Sequence, residues 1–472
     1  MKTLIDEENI QNEKWAVSFF RENKPVQINY KKFSRDLKLA IGYLNSKKIV
    51  GKKAGLVGSN SYEWIIAFVS LVYLGNKVIP FDVMDARKEF LELHEEMDVL
   101  FLEEGTIGED VLFSKLNSSF YFLNVLFEEM EYFSNKLKNI NLKHSNERKA
   151  SIIVFTSGTT GKRKGVELSI NNILHSATGL GSALGFSNEL NILVISPLHH
   201  ILGISLITCM LLNHGNLILA KNKFNPKLEN QAFNPTFIPS VPLLLERYWS
   251  LYKKDSRFFG SKLEVINCGS APTNQKLIKN YLDAGLTVCL SYGMSETAPF
   301  LTSVCKTDLR EKRTTVGRAL ENVQIKIIEG EICAKGENVF SGYTNYSNAD
   351  IFTDDGWFKT GDMGSIDKDG YLSITGRKKN MIPLINGKNI YPEEIEETVK
   401  SMNENIKEII ITTNDNLSLI AEVYSPDISP EVIKYTITKY NDEQISYKNI
   451  MNIKFRQEPF PRNTLNKIVR DR

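Results

Sequence analysis

The sequence predicts an α/β protein with a small separate domain at its C-terminus, and three features carry this prediction. Short apolar stretches that indicate strands alternate with helical patterns over most of the chain. A turn-rich region containing Asp354-Asp355-Gly356 and Asp369-Gly370 indicates local β-structure. A basic run at residues 376–380 then precedes Tyr391-Pro392-Glu393-Glu394, where proline and two acids are typical of a helix start. The chain after this run is long enough to form a small domain.

The elements follow from apolar periodicity. Strands are predicted at residues 54–57, 77–80, 98–102, 152–155, 192–195, 217–220, 263–267 and 288–290. Helices are predicted at residues 30–45, 171–184, 241–253 and 273–284. The longest apolar run, residues 64–74, is too short to cross a bilayer, so it predicts a buried helix. Asn60 and Glu63 are placed like a capping box at its start, and Gly75 ends it.

Length and composition narrow the functional classes. The chain has 472 residues, enough for more than one domain, and its 42% apolar and 24% charged residues are typical of soluble proteins. A formal net charge of +2 gives no reason to expect nucleic acid as a partner. The five cysteines are scattered without CxxC spacing, so neither a disulfide framework nor a cysteine metal site is expected. We expect a cytoplasmic protein without a secretory signal or transmembrane segment.

One run carries the strongest chemical signal: Thr156-Ser157-Gly158-Thr159-Thr160-Gly161-Lys162-Arg163-Lys164-Gly165-Val166. Glycines let backbone N–H groups converge on an anion, hydroxyls add donors, and lysines add charge. The spacing is not that of a Walker A loop, and the residues after it alternate like a strand rather than a helix. The run therefore predicts a phosphate-binding loop between two strands. A solvated basic turn is the alternative.

Two further sequence segments combine residue types that are suited to binding a nucleotide. Ser291-Tyr292-Gly293-Met294-Ser295-Glu296-Thr297 follows an apolar strand and offers an aromatic ring for stacking, a hydroxyl for phosphate and a carboxylate for Mg²⁺. Thr353-Asp354-Asp355-Gly356-Trp357-Phe358-Lys359-Thr360-Gly361-Asp362 ends in a carboxylate, which accepts hydrogen bonds and so suits a diol. Each run alone could be an ordinary turn or a polar strand end.

In this order, these runs resemble the motifs of the adenylate-forming superfamily, which includes acyl- and aryl-CoA synthetases, peptide-synthetase adenylation domains and luciferases. The resemblance covers nearly the whole chain. It implies a large N-terminal domain of stacked α/β subdomains with a small β-barrel-like part, and a small mobile α+β C-terminal domain. The expected boundaries are 1–377 for the domain that binds ATP and acid, and 378–472 for the lid.

The resemblance also assigns residues. It implies nucleotide binding by Thr156, Ser157, Gly158, Thr159, Thr160, Gly161, Lys162, Lys164, Gly269, Ser270, Ala271, Pro272, Ser291, Tyr292, Gly293, Met294, Ser295, Asp362 and Arg377. It implies an acid pocket lined by His199, His200, Gly203, Gly293 and Pro299. It implies catalytic roles for Thr159, His200, Glu296 and Lys467, with Glu296 as the magnesium ligand and Lys379 as the hinge.

Two assignments have an open alternative. The loop that carries Lys467 usually has glycine before the lysine, whereas this chain has Asn466, and a lysine near a terminus is ordinarily a solvated charge. His199 and His200 lie in Pro197-Leu198-His199-His200-Ile201-Leu202-Gly203, and either could be an ordinary packed histidine. A Ser–His–Asp hydrolase is not favoured, because the chain lacks a Gly-x-Ser-x-Gly elbow.

The implied activity is an ATP-dependent ligase with two half-reactions. A substrate carboxylate would attack the α-phosphorus of ATP, giving an acyl-adenylate and pyrophosphate, and a thiol would then take the acyl group. Implied cofactors are ATP, Mg²⁺ and coenzyme A, or the phosphopantetheine of an acyl carrier protein. A nucleotide-binding module without catalysis is the alternative class, but Glu296, Asp362 and Lys467 are all present.

The acid is predicted from one segment and two resemblances. Residues 201–206 carry no charge to pair an amino-acid ammonium group, so an apolar acyl or aryl acid is favoured. Residues 238–247 and 385–396 resemble fatty-acid-type members. The sequence therefore predicts a fatty acyl-CoA ligase. The alternatives are an aryl-acid–CoA ligase and a ligase that loads an acyl carrier protein.

Overall fold

The computed structural model describes residues 13–83, 97–105, 119–133, 149–156, 164–304, 306–385, 388–414 and 418–462, together with residues 468 and 470. Its large N-terminal part is built on two sheets. In spatial order, the nine-stranded sheet contains β15 (Arg318–Ala319), β14 (Thr302–Ser303), β13 (Val288–Tyr292), β12 (Val265–Cys268), β11 (Phe237–Ser240), β9 (Asn191–Val194), β10 (Asn216–Leu219), β1 (Trp15–Arg21) and β2 (Lys24–Asn29). The six-stranded sheet contains β6 (Ser119–Phe122), β5 (Val99–Leu102), β3 (Lys53–Val57), β4 (Lys77–Phe81), β7 (Ser151–Thr156) and β8 (Lys164–Ser169).

Helices cover these sheets and recur in the C-terminal part. They are α1 (Tyr30–Ser46), α2 (Tyr62–Tyr73), α3 (Leu123–Phe133), α4 (Ile170–Leu184), α5 (Ile201–Asn213), α6 (Lys227–Phe233), α7 (Pro242–Lys254), α8 (Gln275–Asp283), α9 (Leu309–Lys312), α10 (Pro392–Met402) and α11 (Pro430–Asp442). Most strands of both sheets pair in parallel. Parallel strands are buried on both faces, which explains why they are continuously apolar in the sequence rather than alternating. None of the described helices has the length and apolar character needed to cross a membrane.

The chain then changes to antiparallel structure. Four strands form one sheet: β16 (Val323–Ile328), β17 (Glu331–Gly336), β18 (Phe358–Ile366) and β19 (Leu372–Arg377). The smaller C-terminal domain contains the pair β20 (Ile382–Pro383) and β21 (Asn389–Ile390), and a sheet of β22 (Glu408–Asn414), β23 (Ser418–Tyr424) and β24 (Ile450–Phe455). The predicted fold class, α/β with a smaller α+β C-terminal domain, is confirmed.

The hydrophobic cores follow this division. The largest cluster of buried side chains belongs to the N-terminal part and extends along the chain to Phe358. A separate cluster begins at Ile382 and ends at Ile450, and it packs α10 and α11 against the C-terminal sheet. No buried side chain is common to the two clusters. The exact boundary at residues 377 and 378 stays a prediction.

Several predicted element ends are wrong by one or two residues. The buried helix α2 is capped by Ser61, whose hydroxyl accepts a 3.1 Å hydrogen bond from the Trp64 N–H, so Asn60 and Glu63 do not form a capping box. Helix α8 begins at Gln275 rather than residue 273, because the side chain of Asn274 caps it by accepting hydrogen bonds from the N–H groups of Lys276 and Leu277.

Candidate functional site

The ends of neighbouring strands bring the predicted motifs together. Strands β12 and β13 are parallel, with Cys268 opposite Leu290, so the segments that follow them leave the same edge of the nine-stranded sheet. Ligands of open α/β sheets bind at such carboxyl edges. Strands β7 and β8 are antiparallel neighbours, with Thr156 opposite Lys164. They flank the predicted phosphate loop, of which residues 157–163 (Ser157, Gly158, Thr159, Thr160, Gly161, Lys162 and Arg163) lie outside the described residues.

A buried carboxylate forms the centre of the site. Asp362 on β18 is 5% exposed, and its Oδ2 accepts a 2.7 Å hydrogen bond from Tyr292 Oη. Arg377 Nε lies 2.8 Å from Oδ1 of the same carboxylate. Burial, followed by the charge of Asp362, raises the pKa of Tyr292 well above its ordinary value, so the phenol keeps the proton that it donates. Three residues predicted to hold the nucleoside are therefore in direct contact.

The turn after β12 is compact. Ser270 has φ of +72°, which is uncommon for a residue with a side chain, and a Cβ on Gly269 would lie 2.9 Å from the carbonyl oxygen of Ser291. The Ser291 hydroxyl accepts from Asn267 Nδ2 at 2.9 Å and donates to Ser303 at 3.0 Å. The Ser291 hydroxyl is therefore bonded within the sheet. Ala271 and Pro272 are both exposed in the same turn.

The segment after β13 is equally tight. A Cβ on Gly293 would lie 1.8 Å from the carbonyl oxygen of Pro299, so only glycine fits there. Met294 N–H donates a 3.0 Å hydrogen bond to Thr297 Oγ1, which closes a short 3-10 turn at Ser295–Thr297. This turn presents Glu296 half-buried. In the part of the chain that the structure describes, no group of three or more His, Cys, Asp or Glu side chains could hold a metal. A single carboxylate is nevertheless typical of Mg²⁺ that arrives with nucleotide phosphates.

Glu296 and the exit of the phosphate loop share a neighbour that the sequence analysis missed. Tyr343 Oη donates a 2.6 Å hydrogen bond to Glu296 Oε1. Lys164 Nζ lies 4.9 Å from the centre of the Tyr343 ring and 3.7 Å from that of Tyr346. The loop Gly342–Asn348 had no local pattern that marked it as functional.

The predicted acid pocket lies at the start of α5. His200 is the residue before the helix, and its side chain makes no cap hydrogen bond to the helix. The rings of His199 and His200 have centroids 4.4 Å apart, and His199 Nε2 lies 3.5 Å from Asp82 Oδ2. A Cβ on Gly203 would lie 2.5 Å from the backbone of Leu198, so glycine lets the helix start fold closely over this loop.

Asn60, which the sequence predicted to be part of a capping box, instead contacts the loop before α5. Its side chain accepts a 2.8 Å hydrogen bond from Leu198 N–H and donates one of 2.9 Å to Ser196 O. It thereby connects the edge of the six-stranded sheet to the loop that carries the two histidines. The Ser205 hydroxyl donates a 2.9 Å hydrogen bond to the Ala298 carbonyl oxygen, which connects α5 to the segment containing Pro299.

The C-terminal residues are described only in part. Lys379 is exposed in a 3-10 turn, Lys378–Asn380, directly after β19, while Lys467 lies outside the described residues. The chain on either side of Lys467 is anchored by buried carboxylates. Arg462 contacts Glu408, and Arg470 contacts both oxygens of Glu396, with Nη1 2.8 Å from Oε1.

A buried carboxylate held by Arg377 and by Tyr292, which lies at the end of a parallel-sheet strand, is typical of a nucleotide-binding α/β enzyme. Comparison with known proteins agrees: the chain belongs to the AMP-binding enzyme family, whose model matches residues 7–344.

Proteins with similar sequences are named CoA ligases. The chain is 26% identical over 442 residues to a 2-succinylbenzoate–CoA ligase of Bacillus cytotoxicus, covering 91% of this chain and 89% of that protein. It is 36% identical over 258 residues to the ligase of that name from Staphylococcus epidermidis, which covers 52% of this chain and 53% of the relative.

Solved structures share the fold. The o-succinylbenzoate CoA synthetase (MenE) of Bacillus subtilis, in complex with its acyl-adenylate intermediate, superposes with a TM-score of 0.81 at 21% identity, over 98% of this chain and 96% of that one. ATP-bound MatB of Rhodopseudomonas palustris superposes with a TM-score of 0.81 at 22% identity, over 98% of this chain and 96% of that one. The fatty acyl CoA synthetase of Mycobacterium tuberculosis superposes with a TM-score of 0.71 at 20% identity, over 97% of this chain and 94% of that one. At these identities, the likeness establishes the fold.

Proposed function

We propose that this protein is an ATP- and Mg²⁺-dependent ligase that activates an aromatic carboxylic acid of the 2-succinylbenzoate type as an acyl-adenylate and transfers it to coenzyme A. In the first step, a carboxylate oxygen of the acid bonds to the α-phosphorus and pyrophosphate leaves. In the second, the thiolate sulfur bonds to the acyl carbon and AMP leaves with its electron pair.

The observation that carries the proposal is the contact of Asp362 with Tyr292 and Arg377. An ionised carboxylate accepts hydrogen bonds and donates none, which suits the two hydroxyls of a ribose. Tyr292 and Arg377 fix the carboxylate in a buried, low-dielectric position, where its bonds to a sugar are stronger than in water. Specific recognition of the sugar fits an enzyme that keeps AMP bound through both steps.

The triphosphate needs a second set of residues besides those proposed to hold the sugar. We assign it to the loop between Thr156 and Lys164, with Glu296 as the protein ligand of the magnesium ion that ATP brings. Bound there, the ion would supply positive charge against the phosphate oxygens. Lys467 would bridge the acid and the α-phosphate, because a compact ammonium on a flexible stem suits contact with two anions. The C-terminal domain would then turn about Lys379 to admit the thiol.

The relatives favour the aryl-acid alternative over the fatty-acid interpretation. The matches that span about nine-tenths of this chain are named 2-succinylbenzoate–CoA ligases. The same names favour coenzyme A as the thiol. The resemblance of residues 238–247 and 385–396 to fatty-acid members therefore does not decide the acid.

A 2-succinylbenzoate molecule carries two carboxylates, and the one that does not react needs donors, because an unpaired buried charge is costly. The start of α5 is a helix N-terminus at which His200 makes no side-chain cap hydrogen bond, and helix N-termini attract anions. His200 stands at that end, and Gly203 keeps it compact. We assign the second carboxylate to this place.

The test is an assay of pyrophosphate release and thioester formation with one acid at a time. The panel is 2-succinylbenzoate, benzoate, octanoate, hexadecanoate and phenylalanine, each with and without coenzyme A. We expect kcat/KM for 2-succinylbenzoate to exceed that for either fatty acid by on the order of 100-fold. A preference for hexadecanoate would overturn the proposed substrate. Formation of ADP instead of AMP would overturn the proposed adenylate-forming reaction.

A further inference from the structure

Tyr343 contacts two oppositely charged groups of the proposed triphosphate site. Its hydroxyl donates a 2.6 Å hydrogen bond to Glu296 Oε1, and its ring lies 4.9 Å from Lys164 Nζ. The Glu296 carboxylate and the Lys164 ammonium, which come from two separate chain segments, thus contact the same side chain.

The backbone around Tyr343 is fixed to the same two segments. Tyr343 forms an antiparallel bridge with Val166 on β8, the strand that leaves the phosphate loop. Gly165 accepts a 2.9 Å hydrogen bond from Thr344 N–H, and a Cβ at Gly165 would lie 2.4 Å from Thr344 Oγ1. The Phe340 N–H donates 2.9 Å to the carbonyl oxygen of Glu296. The loop 340–344 therefore joins the exit of the phosphate loop to the turn that carries Glu296.

Such a connection matters for magnesium. Mg²⁺ requires near-ideal octahedral geometry, so a ligand carboxylate must be held in a narrow range of orientations. The hydrogen bond to Oε1 restrains the orientation of the Glu296 carboxylate. The ring faces of Tyr343 and Tyr346 attract the Lys164 ammonium without neutralising it. The two rings therefore hold the Lys164 ammonium at the exit of the predicted phosphate loop.

We propose that Tyr343 is the positioning residue of the magnesium–triphosphate site, which orients Glu296 through its hydroxyl and Lys164 through its ring. The proposal rests on the proposed function, and it adds a residue that the site assignments did not contain.

The test measures metal binding rather than turnover. Mn²⁺ replaces Mg²⁺, and its binding to the full-length protein with a non-hydrolysable ATP analogue is followed by electron paramagnetic resonance. Tyr343→Phe removes only the hydroxyl and should weaken Mn²⁺ binding by about 10-fold to 100-fold, the usual effect of losing a group that orients a metal ligand. Tyr435→Phe is the matched control, because Tyr435 is 72% exposed on α11, and it should bind Mn²⁺ like the wild type.

A double-mutant cycle identifies the route of the effect. If Tyr343 acts through Glu296, Tyr343→Phe should add little to the loss caused by Glu296→Gln. Tyr343→Leu, which also removes the ring, should in addition weaken analogue binding without metal, because Lys164 loses one of its two supports. Wild-type Mn²⁺ affinity in Tyr343→Phe, or full additivity in the cycle, would overturn the inference. If the wild-type protein itself does not bind Mn²⁺ with the analogue, the proposed function fails and the inference fails with it.

Discussion

The phenol of Tyr292 donates a 2.7 Å hydrogen bond to the carboxylate of Asp362, and both side chains are buried. This contact joins the end of β13 in the nine-stranded sheet to β18 of the antiparallel sheet. Two separate parts of the N-terminal domain thus build one proposed sugar site, and the contact can be tested directly.

Asp362→Asn should weaken ATP binding by about 10-fold to 100-fold, since hydrogen bonds to a charged group are worth roughly 1.5–3 kcal/mol. The new amide would also place a donor opposite Tyr292 or Arg377. Isothermal titration calorimetry with ATP measures the change. Asp369→Asn, at a carboxylate 45% exposed in a surface pair with Lys312, should leave the affinity unchanged. Equal ATP affinity in Asp362→Asn and the wild type would remove Asp362 from the site.

The pair of Glu396 and Arg470 should stabilise the C-terminal domain. Glu396 is 8% exposed and also accepts a 2.7 Å hydrogen bond from Ile411 N–H. Arg470→Ala leaves a buried carboxylate without its cation, which costs about 3–5 kcal/mol. Chemical denaturation followed by circular dichroism measures the loss. Lys279→Ala, which breaks an exposed pair with Asp283 on α8, should change stability by less than about 1 kcal/mol.

The deficit of Arg470→Ala should depend on pH. Burial raises the pKa of Glu396, while Arg470 opposes the rise. Without Arg470, the folded pKa rises further above the unfolded value of about 4.3, so the folded state binds more protons between the two values. Stability relative to the wild type should therefore fall as pH rises and recover toward about pH 4. A deficit that is constant between pH 4 and 7 (about the range of carboxylate titration) would contradict this account.

Gly293→Ala should damage both stability and activity. The new methyl group would lie 1.8 Å from Pro299 O, so the predicted acid-pocket segment must move, and such overpacking costs about 1–3 kcal/mol. Thermal unfolding and pyrophosphate release measure the two effects. Gly181→Ala in α4 is the matched control: its methyl group would meet Phe186 at an ordinary 3.4 Å, and alanine should stabilise the helix by about 0.5–1 kcal/mol. The same small gain in both variants would show that Gly293 has room.

Alkaline pH should destabilise the fold through buried tyrosines. Burial raises the pKa values of Tyr30, Tyr62 and Tyr281, so above about pH 10 the unfolded chain loses protons that the folded chain keeps. Stability should then fall by up to about 1.4 kcal/mol per pH unit for each such tyrosine. Tyr62→Phe loses a 2.8 Å bond to Asp36 at neutral pH but should show a shallower alkaline slope. An unchanged slope in Tyr62→Phe, compared with exposed Tyr435→Phe, would refute the explanation.

The predictions made from the sequence succeeded where the signal is local. Parallel strands are apolar throughout, so runs such as residues 152–155 indicate strands without further information. Asn60 and Ser61 can both cap a helix, and only the structure shows that Ser61 caps α2 while Asn60 reaches Ser196 and Leu198. Local propensity cannot separate two adjacent capping residues.

Long-range partnerships escaped the sequence for a different reason. Tyr343 and Glu296 are separated by 47 residues, and Arg470 and Glu396 by 74. A tyrosine in a loop or an arginine near a chain end has no pattern that announces its partner. The relatives favour an aryl acid over the predicted fatty acid. The uncharged stretch on α5 argues against an ammonium group but does not describe the shape of a pocket built from several segments, and the resemblance of residues 238–247 and 385–396 is local.

The most direct test of the central claim follows one oxygen atom. The protein is incubated with ATP, Mg²⁺, coenzyme A and 2-succinylbenzoate labelled with oxygen-18 in its carboxylates, and the products are analysed by mass spectrometry. If the acid attacks the α-phosphorus, one labelled oxygen appears in AMP and pyrophosphate carries none. Label in inorganic phosphate together with ADP would mean attack at the γ-phosphorus, and it would contradict the proposed acyl-adenylate.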